Sequence, residues 1–236
     1  MHTASYPPGL IVRRIKPPLK MTDFGLVAFD MDSTLINIEC VDEIAAAVGR
    51  KEEVAAITEA AMRGEVSDYK ESLRRRVALL AGVSVSSMEE VYAQRLQLNP
   101  GAHELVSACK AAGMKVLLVS GGFTFFADRV CDRLQIDFTR ANVLDISDGR
   151  LTGRLVDQPW GDICDGEEKK KMLLATCAQL GLQPQQAIAV GDGANDLPMM
   201  SVAGLSVAYH AKPSVREQAM VAIDSGGLDR LLEVFS

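Results

Sequence analysis

Histidine is scarce in this chain of 236 residues, with three, and the five cysteines never form a C-x-x-C pair. Cys40, Cys109, Cys131, Cys164 and Cys177 are odd in number and widely scattered. That spacing argues against a disulfide framework or a Cys/His zinc site, and free thiols in a reducing cytoplasm are expected. No stretch approaches the ~18 continuous apolar residues of a membrane helix, so no membrane partner is expected. A long basic run is also missing: 25 Lys and Arg against 31 Asp and Glu leave a net charge of −6, which disfavours a nucleic-acid partner. Residues 1–22 lack the apolar stretch of roughly 7–15 residues that a signal peptide needs. Punctuated by Pro7-Pro8, Arg13-Arg14 and Pro17-Pro18, they read as a loosely held extension with at most one short edge strand. Internal repeats and low-complexity tracts are absent. With 48% hydrophobic residues, the chain is long enough for one sizeable core plus a small inserted domain.

What the chain does have is Gly25-Leu-Val-Ala-Phe-Asp30-Met-Asp32-Ser-Thr34, a short apolar run ending in two carboxylates one residue apart. A buried strand with that ending delivers acid to the carboxyl edge of a sheet, where open α/β folds bind their ligands. Two carboxylates there repel unless a cation or a shared proton lies between them. Alone, Asp-x-Asp also fits a helix cap or a turn.

Three later stretches add to it. From Glu39 the pattern is helical for roughly 60 residues: Val41 to Val48, then about Lys51 to Met62, a helix capped by Ser67 with Leu73, Val77 and Leu80 on one stripe, and Ser87 to Leu98. That is too long for an ordinary connection and predicts an all-helical insertion, 37–100, hinged near Ile36 and Asn99-Pro100. The α/β rhythm resumes at Gly101, so the α/β core is assigned to 23–36 and 101–236. A strand, Lys115 to Val119, ends in Ser120-Gly121-Gly122. Asn142 to Val156 reads as a hairpin around Asp148-Gly149. A helix from about Glu167 to Leu180 feeds the strand Ala187 to Val190, which ends in Gly191-Asp192-Gly193-Ala194-Asn195-Asp196, and Leu205 to Ala208 and Met220 to Ile223 follow. Three strands ending in acidic or glycine-rich turns would meet at one edge of a doubly wound parallel sheet.

Asp30, Asp32 and Asp192 offer hard oxygen ligands in a number suited to Mg²⁺. Ser120 and the glycine amides after it suit phosphate oxygens. A lysine would complete a phosphoryl-transfer site working through an aspartyl phosphate. Among Lys169, Lys170 and Lys171, helical projection puts Lys169 on the apolar stripe of Met172, Leu173, Cys177 and Leu180. The same projection puts Arg76, of the run Arg74 to Arg76, nearest its stripe edge, either facing a pocket or in a surface ion pair. Glu39 fits an ordinary helix-start acid as well as a ligand.

Taken together, Asp30-Met-Asp32-Ser-Thr34, Ser120, Lys169 and Gly191-Asp-Gly-Ala-Asn-Asp196 resemble the four motifs of the haloacid dehalogenase superfamily, in order, over about residues 24–234. Glu39, Ser72-Leu73-Arg-Arg-Arg76-Val77 and Ser120-Gly-Gly-Phe123 are most similar to its phosphoserine phosphatase branch. That resemblance implies hydrolysis of O-phospho-L-serine to serine and phosphate, the last step of serine biosynthesis, with Asp30 as nucleophile and Asp32 as general acid and base. It implies Mg²⁺ held by Asp30, the main-chain carbonyl of Asp32 and Asp192, with Asp196 in support. Ser120, Gly121 and Lys169 would hold phosphate, and Asn195 would contact substrate. Glu39 would face the substrate ammonium and Arg76 its carboxylate, with Met62 and Tyr69 closing over them. A phosphotransferase, a phosphatase for another small phosphomonoester and a receiver-type signalling module are the competing readings.

Overall fold

The computed structural model describes residues 6–62 and 68–236, with backbone alone at 61 and 62. The apolar run after Gly25 forms a strand, Leu26–Phe29, with every side chain buried. Because side chains alternate along a strand, Val27 and Phe29 enter one hydrophobic cluster and Leu26 and Ala28 another. A strand buried on both faces is the mark of a sheet covered by helices on both sides.

In chain order the strands are β1 (Leu10–Val12), β2 (Leu26–Phe29), β3 (Lys115–Phe123), β4 (Phe138–Ser147), β5 (Arg150–Val156), β6 (Ala187–Gly191), β7 (Leu205–Tyr209) and β8 (Val221–Ile223). They form one sheet in the order β1-β8-β7-β6-β2-β3-β4-β5. The pairs from β8 through β4 are parallel, and β1 and β5 join antiparallel at the two edges. Helices α5 (Ala102–Ala111) and α6 (Thr124–Leu134) supply Leu105, Val106, Phe126 and Val130 to the first cluster. The second takes Leu173 and Cys177 from α7 (Gly166–Leu180) and Met199 from α8 (Leu197–Met200). It also takes Val215 from α9 (Pro213–Gln218). Each such side chain contributes roughly 1.5–3 kcal/mol on burial. The fold is thus doubly wound, α/β and mostly parallel, with mixed edges.

Between β2 and α5 the described residues form four α-helices, α1 (Cys40–Ala47), α2 (Lys51–Met62), α3 (Tyr69–Ala78) and α4 (Val85–Gln94). Their entry and exit strands touch: Asn37 N–H donates to the Gln97 carbonyl at 3.0 Å, and Asn99 Nδ2 donates to the carbonyls of Thr34 and Ile36. On the far side, α3 meets the loop before α7. Lys70 Nζ lies 2.8 Å from Asp162 and 3.6 Å from Asp165, and Arg74 also pairs with Asp162.

Some local expectations are corrected. Ser67 lies outside the described residues, and α3 is instead capped by Asp68, whose carboxylate accepts from the Lys70 N–H. Helix α4 starts at Val85 rather than Ser87, because Ser84 caps it by accepting from the Ser87 N–H, and it stops at Gln94. Residues 6–22 are not loosely held. β1 completes the sheet, Leu19 N–H donates to the Val234 carbonyl, and Ser236 N–H donates to that of Leu19. The Asp148-Gly149 turn stands as read: both residues have positive φ, 49° and 73°, as a tight two-residue hairpin turn requires.

Candidate active site

β6, β2 and β3 are neighbours, so their carboxyl ends open into a single cleft of about 580 Å³. Asp30 stands at the end of β2 in extended conformation. The chain then closes a compact loop in which Ile36 N–H donates to the Met31 carbonyl at 3.0 Å. Closing it puts Ser33 at φ 57°, a left-handed conformation costly for a non-glycine residue. Strain of this kind is kept where it aims side chains, and here Ser33 Oγ donates to Glu39 Oε1 at 2.7 Å.

Lys169 projects from the first turn of α7, whose start is fixed by Asp165 accepting from the Glu168 N–H. Its ammonium is fully buried, 2.7 Å from Asp30 Oδ1 and 2.6 Å from Asp196 Oδ1. The other oxygen of Asp196 accepts the N–H groups of Asp192 and Gly193 at 3.1 and 3.0 Å. Asp196 is therefore spent on the lysine and on shaping the turn after β6. Asp192 Oδ1 accepts from Thr34 Oγ1 at 3.3 Å.

Charge crowds this edge. Burial, then the Asp196 charge, push Asp30 well above the usual carboxylate range, against the pull of Lys169. Burial and the Glu39 charge raise Asp32 to about 7. Burial and the Asp196 charge raise Asp192 to about 7. Burial opposes the Lys169 proton, but Asp196 and Asp30 hold its pKa well above the ordinary lysine value. One oxygen each from Asp30, Asp192 and Asp196 lies within 4.8 Å of the others. Asp30 Oδ1 is buried, with the lysine contact but no formed hydrogen bond. Three crowded carboxylates beside a single lysine leave surplus negative charge, which fits a divalent cation.

Without a cation, the sign of the pH dependence follows. Asp32 and Asp192 titrate near 7 folded, against a usual 3.8, so the folded state holds extra protons between those values. Stability then falls as pH rises through that window. Chelated protein is expected to melt higher at pH 5 than at pH 7.5, with a saturating divalent cation removing the trend. A melting temperature that climbs across that range in chelator would refute it.

The remaining expected residues line the same cleft: Ser120, Gly121 and Asn195 at its floor, Glu39 and Arg76 on the helical side. Ser120 Oγ accepts the Gly122 N–H at 2.9 Å. A Cβ at Gly121 would fall 2.0 Å from the Tyr69 hydroxyl oxygen, so the bare glycine lets that ring end approach the turn. The three consecutive arginines separate by partner. Arg74 pairs with Asp162 and Arg75 with Glu71, whereas Arg76 faces the cleft with its Nε buried and without a hydrogen-bond partner. The Met62 side chain lies outside the description.

Several participants had no usable signal in the sequence. Asn142, buried in β4, donates to the Gly121 carbonyl and accepts the Cys164 N–H, both at 2.8 Å, and so braces the glycine turn. Cys40 bonds both oxygens of Asp32. Asp42 adds a carboxylate oxygen to the cleft wall that is buried without a partner, near Arg76.

Residues 24–204 match the family model of the haloacid dehalogenase-like hydrolases. A phosphoserine phosphatase of Polaromonas sp. is 76% identical over 234 residues, 99% of each chain. A solved phospho-aspartyl intermediate analogue of phosphoserine phosphatase superposes with a TM-score of 0.82 at 36% identity, over 90% of this chain and 99% of that one. A substrate-bound phosphoserine phosphatase complex gives the same TM-score, identity and coverage. With the acids, the lysine and the glycine turn gathered at one sheet edge, the chain belongs to the haloacid dehalogenase-like hydrolases, in the branch of the phosphoserine phosphatases.

Proposed function

We propose that this protein is a Mg²⁺-dependent phosphatase that hydrolyses O-phospho-L-serine to L-serine and phosphate through an aspartyl phosphate. One observation carries the reading. A single cleft joins a buried carboxylate backed by a lysine to a wall bearing an acid and an arginine whose buried Nε has no hydrogen-bond partner among the described residues. Those groups complement the phosphate, the ammonium and the carboxylate of one small molecule.

In this reading Asp30, the main-chain carbonyl of Asp32 and Asp192 hold the cation, with Asp196 behind them. When bound, the cation offsets the repulsion between Asp30 and the phosphate and polarises the phosphoryl group. Ser120, Gly121 and Lys169 orient the phosphate, and Asn195 contacts substrate beside it. An Asp30 oxygen attacks phosphorus as the ester P–O bond breaks, and the Asp32 proton passes to the departing serine oxygen. Water then attacks the same phosphorus, its proton returns to Asp32, and the bond to Asp30 breaks. Glu39 takes the substrate ammonium and Arg76 its carboxylate, where a planar guanidinium can bond two oxygens. We infer that residues 37–100 act as a lid on a core of 23–36 and 101–236, with Tyr69 closing over the phosphate turn and bulk water excluded.

Phosphate release from O-phospho-L-serine tests this reading. Activity should vanish in excess chelator and return with Mg²⁺. Arg76→Ala should raise KM roughly 10- to 100-fold, the loss of ~1.5–3 kcal/mol for charge-assisted bonds, with kcat much less affected. Phosphoserine left intact by an enzyme that cleaves p-nitrophenyl phosphate would overturn the substrate assignment. Release of phosphate in chelator would overturn the cation.

A further inference from the structure

Helix α1 begins with an acid that does not cap it. Glu39 occupies the position before the helix, yet its side chain accepts nothing from the first turn and accepts instead from Ser33. The acceptor at this helix end is Asp32. Its Oδ2 takes the Cys40 N–H at 3.2 Å, and its Oδ1 takes the Cys40 thiol at 3.1 Å. Residue 40 thus supplies one donor to each oxygen of one carboxyl group. Among the described residues no other hydrogen bond reaches that group. The thiol is fully buried, and Gly122 leaves the remaining space, since a Cβ there would come 3.2 Å from Asp32 Oδ2.

We propose that Cys40 is a positioning residue, whose N–H and thiol hold the Asp32 carboxyl group in the one orientation that serves both proton transfers. This rests on the reading of Asp32 as general acid and base. The hydrogen bonds that close the loop carrying Asp32 are made by main-chain groups, so among the described residues no hydrogen bond other than those from Cys40 orients its carboxyl group. Catalysis by a misaimed group falls steeply, about 100-fold for a displacement of ~1 Å. Through Cys40 the aim of Asp32 is tied to the first helix of the insert, not to the sheet that carries Asp30.

The test compares Cys40→Ala, Cys40→Ser and Asp32→Asn in the full chain with Mg²⁺. On phosphoserine, Cys40→Ala should lose kcat by roughly 10- to 100-fold with KM within about twofold, and Cys40→Ser, which restores a donor, should recover most of it. On p-nitrophenyl phosphate the leaving group needs no proton, whereas hydrolysis of the aspartyl phosphate still needs Asp32 as base. Cys40→Ala should therefore show a burst of one p-nitrophenolate per active site, which a loosened fold would not produce. If Cys40→Ala fails to fold, Cys40→Thr against Cys40→Val makes the same comparison at matched shape. Wild-type kcat in Cys40→Ala, beside an inactive Asp32→Asn, would overturn the positioning role alone. Full turnover by Asp32→Asn would overturn the acid and base assignment, and the positioning role with it.

Discussion

Asp30→Asn is expected to lower phosphate release by about 10⁵-fold or more, the scale seen when a covalent nucleophile is removed. The same substitution should stabilise the cation-free protein at neutral pH. Asp30 is 5% exposed and close to Asp192 and Asp196, and burial with those charges works against its ionised form. Asparagine keeps the shape and an acceptor for Lys169 while removing one of the crowded charges. Relief of this kind is typically worth about 0.5–2 kcal/mol, a few degrees in melting temperature for a chain of this size. Mg²⁺ should narrow the difference, because the wild-type charge then has a partner. Residual turnover near 1% would remove Asp30 as nucleophile. A lower melting temperature in chelator would mean that its ion pair with Lys169 outweighs the crowding.

Lys169→Met should damage both fold and activity. The ammonium stands between two buried acids, and its loss leaves Asp30 and Asp196 without it. Breaking a buried pair from one side costs about 3–5 kcal/mol, because the surviving charge is left uncompensated. If Lys169 holds the phosphate as proposed, turnover should also drop by about 10²–10³-fold or more. The stability deficit should depend on pH with a definite sign. Without the lysine, the folded-state pKa values of these carboxylates climb further, so protonation relieves the variant at lower pH. The deficit is therefore largest above neutrality and shrinks toward pH 5. Urea unfolding of both proteins at pH 5 and 8 reads this directly. Equal deficits at both values would show that lost packing, not stranded charge, is the cause.

The sheet and the floor of the site were legible because their signals are local. β2 is a short apolar run that ends in acid, and Lys169 follows from the 3.6-residue period of α7. Contacts made at a distance along the chain were not. Asn142 reaches Gly121 and Cys164 only because β4 lies beside β3, and no periodicity announces that. The Cys40 contact with Asp32 depends on the left-handed turn at Ser33, where no glycine flags the conformation. Arg76 could be placed at a stripe edge by projection. That Asp162 and Glu71 pair with Arg74 and Arg75, while no ion pair among the described residues holds Arg76, depends on contacts that projection does not show. The N-terminal segment was misjudged for a related reason: prolines break local pattern, while its anchoring comes from β8 and the end of the chain.

The bonds between α3 and the loop before α7 have a consequence for the rate at which substrate is exchanged. Lys70, Arg74 and Asp162 are between 32% and 48% exposed, so each pair is worth at most about 1 kcal/mol and weakens as salt screens it. Backbone hydrogen bonds attach the insert firmly at two places, the chain crossings at Asn37 and Asn99 and the bonds that Gly82, Val83 and Val85 share with Gly149 and Leu151. Between α3 and the loop before α7, by contrast, it is held by charge pairs, and ionic strength sets how often that one contact opens. Slow steps that depend on opening, such as the departure of a tightly held product, should quicken with salt, while the chemistry beneath the closed helices should not.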